Sequence, residues 1–147
     1  LNILDVATPK QPQLVSRFTH YGGFPVLLVH APYVTMVGRA IVTLDLTKPE
    51  TPKPVGELAV SEYIFDAVWV GDWLYTATGK GLMTFDLSQL DEPRLIDQSN
   101  EHLYLSQLAV DGELLVVLAP QDGILLYSLA DRLEPVELAH FQLAVER

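Results

Sequence analysis

Four copies of one short pattern constrain this chain more than any other feature. Ile3-Leu4-Asp5, Val42-Thr43-Leu44-Asp45 and Met83-Thr84-Phe85-Asp86 each close an apolar run with an acidic residue, and a proline follows seven residues later at Pro12, Pro52 and Pro93. Leu125-Leu126-Tyr127-Ser128 with Pro135 is a degenerate fourth copy, so Asp5, Asp45, Asp86 and Ser128 stand 40, 41 and 42 residues apart. A strand-rich unit of that size cannot cover its own two faces, and the period therefore predicts a stacked array of β units.

The residues between the anchors divide into short strands. In the clearest unit, Ile64 to Val70, Trp73 to Ala77, Leu82 to Leu87 and Arg94 to Asp97 are separated by Gly71-Asp72, by Gly79-Lys80-Gly81 and by the turn at Pro93. The next unit repeats the order with Leu105 to Val110, Leu114 to Ala119, Ile124 to Leu129 and Val136 to Phe141. Glycine and aspartate in the connections supply the positive φ or preset bend that tight hairpins need. Four strands in about 40 residues is the unit of a β-propeller blade.

Residues 1–23 hold only the last two strands of such a unit and a connector, whereas 24–63, 64–104 and 105–147 hold complete units. The expected fold is all-β: a partial β-propeller of about three and a half repeats within a larger ring, since closed rings have at least about four blades. The nearly continuous apolar run Phe24 to Val29 reads as a strand covered on both faces. The recurrent Asp5, Asp45 and Asp86, with Ser128 in the fourth copy, read as turn caps that accept backbone N–H groups. A catalytic carboxylate would not tolerate that serine.

Charge and composition exclude several functions. A net charge of −10 gives no positive footprint for a nucleic-acid backbone. The absence of cysteine removes disulfides and thiolate chemistry. Apolar runs are too short for a membrane-spanning helix, so no membrane insertion is expected. The chain opens at Leu1 without an initiator Met or signal peptide, as expected of a piece of a longer protein. No phosphate-cradling glycine loop, HExxH motif or Asp-rich calcium loop is present, and no cofactor or metal site is expected.

The candidate site lies at the connectors leading into the innermost strands. Tyr21, Tyr63 and Tyr104 recur 42 and 41 residues apart, and propeller symmetry places them around one rim. Their rings suit either a binding surface or packing between blades. His20 and His102 fall near the same rim, with Glu62, Asp66, Glu101 and Gln107 close in the repeat. His30 and His140 read as local supports, and Trp69 and Trp73 as packing residues. Ser61, Ser106, His102 and Asp97 are hydrolase residue types without a motif to fix their geometry, so no catalytic residue is assigned.

The anchors resemble the LVIVD repeat, in which an apolar strand ends in Asp-Val or Asp-Leu before a Ser/Thr-x-Pro turn and a second Pro. Leu4-Asp5-Val6-Ala7-Thr8-Pro9 and Leu44-Asp45-Leu46-Thr47-Lys48-Pro49 match best; Leu90 replaces the first Pro in the third copy, and Ser128 replaces Asp in the fourth. The resemblance implies a β-propeller in a secreted, periplasmic or cell-surface protein, without a catalytic set. The expected function is a non-catalytic protein-interaction or assembly module, its partner another protein or the remaining blades. A hydrolase or lyase with a rim completed by missing blades, and a carbohydrate-binding module, are the alternatives.

Overall fold

Fourteen antiparallel strands make four separate sheets in the computed structural model, which describes residues 1–142. The first sheet pairs only β1 (Asn2–Asp5) with β2 (Gln13–Arg17). Blade 1 contains β3 (Val26–His30), β4 (Tyr33–Val37), β5 (Ala40–Asp45) and β6 (Lys53–Ala59). Blade 2 contains β7 (Ile64–Val70), β8 (Trp73–Thr78), β9 (Gly81–Asp86) and β10 (Arg94–Ser99). Blade 3 contains β11 (Gln107–Asp111), β12 (Leu114–Ala119), β13 (Gly123–Ser128) and β14 (Val136–Phe141). Residues 143–147, the end of the last expected unit, lie outside the described residues. No helix among the described residues is long and apolar enough to cross a membrane.

Each blade is a meander, with every strand hydrogen-bonded to its neighbour in sequence. The first hairpin of blades 2 and 3 turns through Gly71 and Gly112 at φ 60° and 59°, a region that favours glycine. The turn after the third strand is built by the recurrent anchor. Asp5 accepts the Ala7 N–H at 2.8 Å, Asp45 that of Thr47 at 2.7 Å and Asp86 that of Ser88 at 2.8 Å. Ser128 Oγ takes the same place, accepting the Ala130 N–H at 3.2 Å. The pairing of third and fourth strands breaks register at one equivalent position in every sheet: Ile3/Leu4, Thr43/Leu44, Leu126/Tyr127, and Leu95/Asp97 opposite Thr84 and Phe85. A bulge there bends and twists the outermost strand of each blade alike.

The core consists of layers between blades. Met36, Ala40, Val42 and Leu44 of blade 1 meet Leu1 and Phe18 of the two-stranded sheet. Val37 and Ile41 meet Ile64, Leu74, Met83 and Phe85 of blade 2, and Tyr75, Ala77 and Leu82 meet Leu115, Val117, Leu125 and Tyr127 of blade 3. Each blade thus has a backward face toward the preceding blade and a forward face toward the next. The buried hydroxyls of Thr35 and Thr43 bond to each other within blade 1 at 2.9 Å, whereas the Tyr75 hydroxyl of blade 2 donates to Arg132 O beyond β13 at 3.0 Å.

The reading of Phe24 to Val29 as doubly covered needs correction. Leu27 and Val29 are 50% and 73% exposed, while Ala67 and Leu108, the counterparts of Leu27, are 4% and 9% exposed. The two-stranded sheet covers the outer half of the backward face of blade 1 and leaves its innermost strand bare.

Candidate functional site

The connector into β11 is fixed by backbone bonds to the preceding hairpin. Tyr104 N–H donates to Gly79 O at 3.1 Å and Leu105 N–H to Thr78 O at 3.0 Å. This grip holds Tyr104 at φ 57°, a conformation that costs a bulky residue roughly 1–3 kcal/mol. Tyr104 is 55% exposed, Tyr21 97% and Tyr63 39%. Tyr63 packs beside Phe65 with centroids 5.4 Å apart, and the Arg39 guanidinium lies 5.8 Å from its ring centroid. The three tyrosines line none of the five cavities described for the molecule.

The polar candidates separate into local pairs. His20 Nε2 lies 3.3 Å from Glu57 Oε1, with its ring between Phe18 and Phe24. Glu62 accepts from Lys80 Nζ at 2.7 Å. Asp66 is part of the blade junction: Oδ1 accepts the Ala67 N–H at 2.9 Å and Oδ2 the Leu108 N–H of blade 3 at 2.8 Å. Gln107, the Asp66 counterpart one repeat later, is exposed on the far side of blade 3. Glu101 is exposed in the connector beside His102.

His102 gathers residues that the linear pattern left apart. Its Nδ1 lies 3.0 Å from Asp122 Oδ2 in the hairpin turn of blade 3, and its Nε2 lies 2.8 Å from Glu137 Oε2 on β14. The His140 ring stands edge-on at 5.4 Å and bonds through Nε2 to Asp122 O at 2.6 Å. Burial opposes charge on His102, but the bonds to Glu137 and Asp122 outweigh it and raise its pKa above 6.5. Burial, followed by the charges of Glu137, Glu101 and Asp122, pushes the Tyr127 hydroxyl up to about 12.

The chemistry of this cluster is that of a clasp. An imidazolium donating from both nitrogens has no free lone pair for a proton or a metal. Ser106 Oγ donates to Leu118 O at 3.1 Å, while both ring nitrogens of His102 are taken by Asp122 and Glu137. Among the described residues, no group of three or more His, Cys, Asp or Glu side chains is placed to hold a metal ion.

The most unusual surface is the forward face of blade 3. Leu114, Val116, Leu118, Ile124 and Leu126 form one continuous side of β12 and β13 and are all exposed or half-buried. A 500 Å³ cavity opens there, lined by Asp66, Gln107, Leu108, Ala109, Val116, Leu118 and Ile124. Their counterparts in blade 2 are sealed: Tyr75 and Ala77 are 0% exposed, Leu82 is 4% and Thr84 is 1%. Trp69 caps its own turn through Nε1 to Gly71 O at 2.6 Å and meets His30 with centroids 4.9 Å apart, so both aromatics serve the junction of blades 1 and 2.

Comparison with known proteins extends the description of the fold. No protein-family model and no curated protein matches the sequence. Among solved structures, the crystal structure of the computationally designed Ika8 protein is similar over 90% of this chain, with a TM-score of 0.65 and 14% identity. The N-terminal domain of Nup159 is similar over 80%, with a TM-score of 0.56 and 18% identity. This chain spans 42% and 30% of those two chains. At these identities the likeness is one of fold: four-stranded antiparallel sheets stacked face to face as part of a β-propeller.

Proposed function

We propose that this chain is a non-catalytic assembly module, a segment of a β-propeller whose blade 3 docks a further protein β unit. The observation supporting this reading is the row Leu114, Val116, Leu118, Ile124 and Leu126 on the forward face of blade 3. It repeats, position for position, the blade 2 surface that is buried against blade 3. An apolar sheet face of this kind marks an interaction surface. The resemblance to the LVIVD repeat supports a secreted, periplasmic or cell-surface setting.

The test uses the 147-residue chain. It is expected to bind a hydrophobic dye or self-associate in light scattering, while a Leu118→Lys/Ile124→Lys variant keeps its β circular dichroism and loses both behaviours. A parent chain that is monomeric, dye-silent and indistinguishable from the variant overturns the reading.

A further inference from the structure

The two-stranded sheet at the start of the chain is the outer half of a blade. β1 and β2 hold the places that β5 and β6 hold in blade 1, with Asp5 capping its turn as Asp45 does. In blade 1 the inner edge of β5 is paired with β4, where Leu46 N–H donates to Pro32 O at 2.9 Å and Leu44 and Val42 lie opposite Val34 and Met36. Their counterparts on β1 are Val6, Leu4 and Asn2. On the other side of β1, Leu1 exchanges both backbone bonds with Phe18. Antiparallel alternation then turns the backbone groups of Asn2 and Leu4 toward an edge with no strand beside it among the described residues.

The space next to that edge is shaped and apolar. A 290 Å³ cavity lined by Leu1, His20, Phe24, Val26, Leu27 and Met36 lies on one side of the bare strand β3. A second cavity of 190 Å³ is lined by Val29, Pro32, Tyr33, Val34 and Leu46. Leu27 and Val29 project from β3 at 50% and 73% exposure. His20 Nδ1, which is buried, has no hydrogen-bond partner among the described residues.

We infer that the free edge of β1, together with the bare face of β3, is a strand-addition site that accepts an antiparallel two-stranded β-hairpin. The inference rests on the reading of the chain as an assembly module and specifies the partner at its opposite end. The occupant is defined by the three equivalent places already filled, by β3–β4, β7–β8 and β11–β12. Its outer strand pairs with β1, and its inner strand covers Leu27 and Val29 with apolar side chains. Main-chain bonds along β1 provide the attachment and the side-chain pockets the selectivity, as in β-augmentation. The Asp66 bond to Leu108 adds a specific contact for a hairpin that carries an acidic residue at this place: Leu27 is the Leu108 counterpart, so Asp66 of a docked blade 2 hairpin accepts the Leu27 N–H.

The probe is a synthetic peptide of Ile64–Thr78, this chain's own inner hairpin from blade 2, titrated into the isotopically labelled 147-residue chain. Saturable backbone amide shifts are expected at Asn2, Leu4 and Leu27, with amide exchange at Leu4 and Leu27 slowed about tenfold or more. A Leu4→Pro chain removes one donor from the open edge and is expected to weaken binding at least about tenfold; Val29→Lys is the second variant if the first alters the spectrum globally. A peptide with Asp66→Ala should lose the Leu27 shift while keeping that of Leu4. No saturable shift at Leu4 and Leu27, or binding insensitive to both chain variants, overturns the inference. Shifts confined to Val116, Leu118 and Ile124 overturn it as well, while leaving the docking face of blade 3 intact.

Discussion

Blades 2 and 3 have the same strand order and the same two-residue first hairpin, yet they differ in burial. Every position of β8 after Trp73 is buried, and so is every position of β9 before Asp86, whereas β12 and β13 alternate between buried residues and exposed or half-buried ones. The polarity of the side chains runs opposite to their burial. Blade 2 places Tyr75, Thr76, Thr78 and Thr84 in its sealed sheet, and blade 3 has Val116, Val117, Ala119 and Leu126 at the same positions. The more apolar blade is therefore the more exposed one. Strand and blade are local properties of the repeat, while coverage depends on the neighbour.

The sharpest test of this contrast exchanges one residue at two equivalent places. Leu82→Ala, in the sealed layer, should cost about 2–5 kcal/mol, and Ile124→Ala, on the open face, about 1 kcal/mol or less, as read from urea unfolding. Equal losses would mean that both faces are covered in solution. A smaller effect is expected at the clasp of blade 3. His102→Gln should cost about 1.5–3 kcal/mol near pH 6, because it removes two charge-assisted bonds. The folded pKa of His102 lies above 6.5, so its contribution is fully present below that pH and fades as the pH rises through the folded value. The difference between parent and variant should shrink from pH 6 to pH 9; a difference that grows would contradict the charged clasp.

Asp86→Ala comes next, at about 1 kcal/mol for the lost turn bond, measured by thermal unfolding at neutral pH. The bonds from Ser88 hold this carboxyl below its ordinary 3.8, so the penalty should disappear as the parent protonates in acid. The smallest change is Tyr21→Ala. With its ring 97% exposed, the substitution should leave stability within about 0.5 kcal/mol, and a larger loss would mean that the ring packs against the chain in solution.

Much of this architecture could be read from the residues because it is repeated locally. The Asp or Ser anchor, the Gly-Asp and Asp-Gly turns and the apolar runs each specify structure within a few neighbours, and the observed strands follow them closely. Phe24 to Val29 misled because an apolar run records the burial expected of a strand and says nothing of whether its neighbour is at hand. The His102 clasp was hidden for another reason. Asp122 and Glu137 reach the ring from a turn and an outer strand, and Glu137 lies opposite Tyr127 through a register break at Leu126/Tyr127. Asp66 stood out as an acidic residue near a rim, but which amides it accepts depends on the approach of β11 to β7.

That carboxylate has a mechanical consequence. Asp66 ties the backbone of blade 2 to the first strand of blade 3, whereas Val26, its counterpart in blade 1, offers blade 2 only an apolar contact. The two junctions therefore differ in stiffness under shear. Apolar side chains can slide across one another at nearly constant energy, while a charged acceptor holding an amide at 2.8 Å resists displacement until it breaks. Twisted from its ends, the array should yield first between blades 1 and 2, with blades 2 and 3 moving as one piece.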